Sequence, residues 1–177
     1  NNQMVAAVDS NAYEKAIIRR AMALVNTQRG AVVLDLFDVV APGENLAEYA
    51  TYYQGQIIRS TLPYNAFTNS QTTFGENNGY QHLWHTAKSE ALKQNDMHQI
   101  SFLANNSFYT ISTLMKAGAT LNFVRTGAND PDFNLRSEPG LVISQPFNDR
   151  HVFATVVEPH GSYDPVSEMV AGSDSAV

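Results

Sequence analysis

Apolar and polar residues alternate in short runs along most of the chain, and the runs are separated by turn residues rather than by helical stretches. The alternation predicts strands at Met4–Val8, Ile17–Val25, Ala31–Val40, Leu46–Gln54, Gln81–Ala91, Gln99–Ala104, Phe108–Lys116, Thr120–Val124, Leu141–Ser144 and His151–Glu158. Turn signals fall between them at Pro42-Gly43, Asn77-Asn78-Gly79, Asn129-Asp130-Pro131 and Glu138-Pro139-Gly140. No segment sustains a helical period. The expected fold is all-β, with stacked antiparallel sheets in a sandwich-like arrangement. With no internal repeat and no low-complexity linker, residues 1–177 are expected to form a single domain.

Two of these strands carry side chains of chemical interest. In Leu46–Gln54, alternation puts Tyr49, Thr51 and Tyr53 on one face and Ala50, Tyr52 and Gln54 on the other. Tyr52 and Tyr53 therefore point opposite ways, and one of them at most faces a given cleft. In Gln81–Ala91, His82 and Trp84 share a face and Leu83 and His85 the other, so two histidines three apart cannot grip one ion from a strand.

Composition narrows the function classes. A length of 177 residues, 44% hydrophobic and 16% charged, suffices for a substantial core. The absence of cysteine excludes disulfides and thiolate chemistry. Seventeen acids against eleven bases give a net charge of −6, and there is no basic run, so nucleic acid is not an expected partner. The longest apolar stretch, Ala31–Ala41, is broken by Asp35 and Asp38 and is too short to span a bilayer. Asn1-Asn2-Gln3 opens without an initiator Met or a basic-then-apolar leader. The expectation is a removed leader or a start within a longer gene product. If the ligand is a polyanion, local arginines must hold it.

From Val33-Leu34-Asp35-Leu36-Phe37 onward the chain resembles the oligoalginate lyases of polysaccharide lyase family 17, within the heparinase II/III-like group. The likeness continues through Tyr52-Tyr53-Gln54-Gly55-Gln56, Gly79-Tyr80-Gln81-His82-Leu83-Trp84 and Phe108-Tyr109-Thr110-Ile111-Ser112. It runs on through Arg125-Thr126-Gly127-Ala128-Asn129-Asp130 to Pro139, and through Glu158-Pro159-His160-Gly161-Ser162-Tyr163-Asp164-Pro165. The order of several such pieces over most of the chain makes the signal specific. The resemblance implies a helical toroid followed by antiparallel sheets, with this chain as the C-terminal β-sheet part of a longer lyase. The family typically has a His-Asn pair near the start of that part, where this chain has Asn1-Asn2 or has not yet begun, and Ser173-Asp174-Ser175 stops before the family's last strands.

Such lyases cleave a 4-linked uronate by β-elimination. Donors must stabilise charge on the C6 carboxylate while a base takes the C5 proton and an acid protonates the departing O4. The resemblance implies that Asn, His and Tyr of the toroid make most of that centre, and that a further Tyr comes from the strand matching Tyr49–Gln56. Tyr52 or Tyr53 is the candidate, with Tyr52 ahead; both also suit a purely structural role as strand aromatics. Where the family pattern after Asp35-Leu36-Phe37 usually has Arg, this chain has Asp38, an acid that would repel a polyuronate. Substrate-binding candidates are Arg125, Arg136, His160 and Tyr49. The two arginines equally suit pairing with Asp130, Asp132 or Glu138 to shape their loop, and His160 suits either a cleft rim or a turn set by Pro159 and Gly161.

No cofactor is required for elimination. Heparinase-type lyases can carry a structural zinc in the β part, for which Asp35 and His82 are the candidate ligands here, though no compact ligand motif exists. The expected partners are alginate or another acidic polysaccharide, the upstream toroid and, through unpaired sheet edges, a second copy in a homodimer. The substrate implies a periplasmic or secreted bacterial protein. The alternatives are a non-catalytic module that binds acidic polysaccharide through Tyr49, Tyr52, Tyr53, Tyr80 and Trp84, and a domain that serves only as scaffold.

Overall fold

A computed structural model describes residues 2–28, 30–68, 72–130 and 137–160. Two long antiparallel strands organise them: β3 (Gly30–Tyr52) and β10 (Pro139–His160) pair from Val157↔Val33 to Gly140↔Tyr52. Around them lie β1 (Gln3–Asp9), β2 (Ile17–Thr27), β4 (Gln56–Ser60), β5 (Asn65–Ala66), β6 (Leu83–Lys88), β7 (Asp96–Ala104), β8 (Ser107–Met115) and β9 (Thr120–Thr126). The only helical element among the described residues is a 3₁₀ turn at Tyr80–His82.

Sequence pattern places most strands correctly but splits each long one in two. Pro42-Gly43 was expected to end a strand; it is a bulge inside β3. Ala41 pairs with Asp149 and Glu44 with Asn148, which leaves Pro42 and Gly43 looped out. Asp149 and Gly43 both take positive φ, 61° and 80°, and the Gly43 N–H donates to Asp149 Oδ1 at 2.9 Å. The Asn45 amide closes the loop by donating to the carbonyls of Pro42 (3.1 Å) and Gly43 (2.9 Å). A strand propensity scan sees only the turn residues, because the pairing that carries the chain through them is 106 positions away in sequence. The expected strand Gln81–Ala91 is shorter than its pattern. His82 ends the 3₁₀ turn and pairing starts at Leu83.

The bulge divides the sheet into two arms. In the first, the order is β1-β2-β3-β10-β8-β7-β4; in the second, the other halves of β3 and β10 continue to β9, β6 and β5. Pro146 falls between the β9 and β8 contacts, where β10 has a neighbour on one side only, so a missing N–H is tolerated in a central strand. The arms fold over one another, because one buried cluster mixes Tyr49, Leu121, Phe123 and Ile143 of the second with Ile100, Phe102, Met115 and Phe153 of the first. The Tyr49 and Phe153 rings stack at 5.4 Å across it. The result is all-β, antiparallel and sandwich-like, as the alternation predicts.

His151 sits in this interior with its ring edge-on to Phe153 at 4.4 Å. Burial, and then the charge of Lys116, push its pKa down from 6.5 to about 4. The unfolded chain therefore binds this proton at a higher pH than the folded one. The stabilising preference is whole above about pH 6.5 and is lost as pH falls toward 4. Urea midpoints are expected to drop across that window, with a shallower drop in His151→Phe; equal slopes for both proteins would contradict this.

Candidate functional site at the outer face of the second arm

The strand end that carries both candidate tyrosines sorts them by face. Tyr53 points inward, with its ring 4.8 Å from Phe102 among the core side chains. Burial raises its phenol to about 12, although the charge of Arg125 pulls the other way. Tyr52 points outward and is 52% exposed. Its ring lies on Gly140, the residue paired with it across β3 and β10. Partial burial raises the Tyr52 phenol above its ordinary value. The pair thus separates as strand alternation requires, with Tyr52 the more exposed of the two.

Around Tyr52 the outer face is built, not merely exposed. Leu83, Val124 and Val142 form a small buried cluster beneath Phe74 and Tyr80, which the chain lays over the sheet just before β6. A polar row crosses the same face. His85 Nε2 meets Asn122 Oδ1 at 3.1 Å, the Asn122 amide donates to Ser144 Oγ at 3.0 Å, and Ser144 Oγ donates to Glu48 Oε1 at 2.9 Å. Glu48 also stands against the phenol of Tyr80. Burial first, then the hydrogen bond and charge of Glu48, push that phenol far up, and Tyr52 lies within its electrostatic reach. Asn122 is 2% exposed, and its amide also donates to Val142 O, so the row is satisfied and rigid. The face therefore presents two protonated phenols beside this polar row, with the Val124 and Val142 side chains beneath.

The remaining sequence candidates lie elsewhere. Tyr49 is 7% exposed, and its phenol donates to Asp35 Oδ2 at 2.6 Å. Arg20 grips the same carboxylate through Nε–Oδ1 at 3.0 Å and Nη2–Oδ2 at 2.6 Å, with its guanidinium over the rings of Phe37 and Tyr49. Burial opposes the charge on Asp35, but the hydrogen bonds from Arg20 and Tyr49 outweigh it and hold the pKa below the usual carboxylate value. Asp35 and Tyr49 lie on opposite sides of the β3 bulge, so this trio ties the two arms together. Arg125 donates to Ser137 O at 3.3 Å, near the inward side of Tyr53. His160 is the last residue of β10, and its Nε2 meets Thr110 Oγ1 at 2.9 Å. Arg136 lies outside the described residues. Asp38, the acid found where an arginine was expected, is held by Arg19 at 3.1 Å and by Arg150 at 2.9 Å, so two cations cover its charge.

Over its full length the chain is 34% identical to an alginate lyase of Stenotrophomonas maltophilia, of which it covers 24%. The chain is a relative of alginate lyases. It is also 29% identical, over 99% of its length, to an exo-oligoalginate lyase of Saccharophagus degradans, again covering 24% of that protein. The chain thus spans about a quarter of the length of the curated relatives it matches. No family model matches it. Among solved structures, the heparan sulfate lyase HepC of Pedobacter heparinus superposes with a TM-score of 0.52 at 11% identity, over 93% of this chain and 21% of that one, and shows the shared fold.

Asp35 and His82 are the two candidate zinc ligands. The structure does not bring the two together. Both oxygens of Asp35 are taken by Arg20 and Tyr49, and His82 turns Nδ1 to the Ala128 carbonyl at 3.2 Å. Among the described residues no three His, Asp or Glu side chains group to hold an ion. A zinc ion does not fit this arrangement. Incubation with zinc is expected to leave the thermal midpoint unmoved; a midpoint raised by zinc and lowered again by a chelator would contradict that.

Sequence reasoning missed Glu48, Gly140 and Arg20 as site residues and used Tyr80 only as a possible stacking ring. Glu48 had a signal, since it sits four positions before Tyr52 on an alternating strand and so shares its face. Arg20 had one too, as a charge that shares its face of β2 with Ile18, Met22 and Leu24. Gly140 and Tyr80 reach the site only through pairing and chain crossing that no local pattern encodes.

Proposed function

We propose that this chain is the β-sheet part of a polysaccharide lyase that cleaves alginate or oligoalginate by β-elimination, and that Tyr52 faces the cleft as a proton donor. The observation that carries this reading is the outward, half-exposed Tyr52 phenol on the face that also holds the hydrogen-bonded row of Asn122, Ser144 and Glu48, in a chain similar over its full length to an alginate lyase. Burial raises the phenol's pKa and so favours the protonated form. A neutral phenol can protonate the O4 that departs when the C4–O4 bond breaks. The base that takes the C5 proton and the groups that hold the C6 carboxylate come from the helical part of the longer protein. In this assignment Tyr53 and Tyr49 support the strand from within, and zinc takes no part.

The test uses protein of natural length, with ultraviolet absorbance of the unsaturated uronate as readout. Tyr53→Phe is expected to keep turnover within about threefold of wild type, because Phe preserves the packing on Phe102. Loss of turnover in Tyr53→Phe with none in Tyr52→Phe would reverse the assignment. Tight binding of alginate oligomers by the isolated chain, with no turnover by the natural-length protein, would favour a binding module instead.

A further inference from the structure

We infer that Gly140 is a positioning residue, whose bare backbone seats the Tyr52 ring and fixes where its phenol stands. The inference deepens the role proposed for Tyr52 and rests on it.

Gly140 pairs directly with Tyr52 across β10 and β3. A Cβ built there would lie 2.8 Å from Tyr52 Cδ1, 3.0 Å from Cε1 and 3.1 Å from Val124 Cγ2. Contacts this short are not sustained, so some group must shift. Gly140 is not among the glycines with positive φ, and any L residue can adopt its backbone. Space rather than backbone freedom is what demands glycine here.

Which neighbour would give way follows from burial. Val124 is 1% exposed and Val142, two positions along β10 from Gly140, is 0% exposed, so the floor is fixed. Tyr52 is 52% exposed and free to swing toward solvent. A methyl group at position 140 therefore lifts the ring and leaves the fold intact. The phenol then moves away from Tyr80 and from the line on which it meets a departing oxygen. Proton transfer tolerates little displacement, so Gly140→Ala is expected to lower kcat by about 10- to 100-fold while KM holds.

The experiment compares Gly140→Ala, Tyr52→Phe and the double variant in protein of natural length, on alginate oligomers. Fluorine NMR of 3-fluorotyrosine-labelled protein runs alongside, with the Tyr52 resonance assigned by its loss in Tyr52→Phe. The expected result is a displaced Tyr52 resonance, an unchanged thermal midpoint and a lowered kcat in Gly140→Ala, with the double variant no slower than Tyr52→Phe. An unmoved resonance overturns the inference. So does a moved resonance with unchanged kcat when Tyr52→Phe is inactive. If Tyr52→Phe is fully active, the proposed role of Tyr52 falls instead, and the resonance alone decides whether Gly140 seats the ring.

Discussion

Tyr52→Phe in the natural-length protein is expected to lower kcat on alginate oligomers by at least about 100-fold, the usual contribution of a positioned general acid. The substitution removes one oxygen and keeps the ring that lies on Gly140, so packing is preserved. The thermal midpoint should stay within about 1 °C, because a half-exposed phenol contributes little to stability. KM should change little, because the lost bond forms only as O4 departs. The basic limb of the wild-type pH profile should lie above the ordinary phenol value of roughly 10, since burial raises this group. An acidic limb that disappears in Tyr52→Phe would point instead to a phenolate acting as base.

Arg20→Met should produce the largest loss of stability, about 2–3 kcal/mol, read from urea denaturation at neutral pH. Breaking a buried pair by removing one partner typically costs about 3–5 kcal/mol, and the half-exposed Arg20 lets water repay part of that. The cost arises because Asp35, 3% exposed, would keep its charge with Tyr49 as its remaining donor. Its sign with pH is distinctive. In the wild type the depressed Asp35 pKa contributes stability above the unfolded value of about 3.9, lost as pH falls through the folded value. Without Arg20, burial becomes the dominant influence and raises that pKa. Protonation then relieves the variant, so the gap between the two proteins should narrow as pH falls. A gap that widens in acid would contradict this account. Arg20→Met combined with Asp35→Leu and Tyr49→Phe should recover most of the loss, because neither a charge nor the phenol that Asp35 holds is left buried without a partner.

Alternation along the strands was enough to read the fold class, most strand positions and the opposite facing of Tyr52 and Tyr53. Each of these depends on a period of two and on local turn residues. What local pattern could not give was the joining of two strand candidates through Pro42-Gly43, or of two more through Asn148-Asp149. Those joins depend on a bulge that exists only when β3 meets β10. The same distance hid the trio of Arg20, Asp35 and Tyr49. Asp35 looked like a free ligand and Tyr49 like a sugar platform until the folded sheet turned each toward the other. Tyr80 and Gly140 were likewise invisible as neighbours of Tyr52. One arrives from the segment laid over the sheet and the other from a strand 88 positions further along the chain.

The central claim is that this chain supplies a face of a lyase cleft and that the chemistry is shared with the rest of a longer protein. Ultraviolet absorbance of the unsaturated uronate, with alginate oligomers given to the isolated chain and then to the natural-length protein, tests it most directly. The account predicts product from the natural-length protein alone. Product from the isolated chain at a comparable rate, or from neither protein, would contradict it.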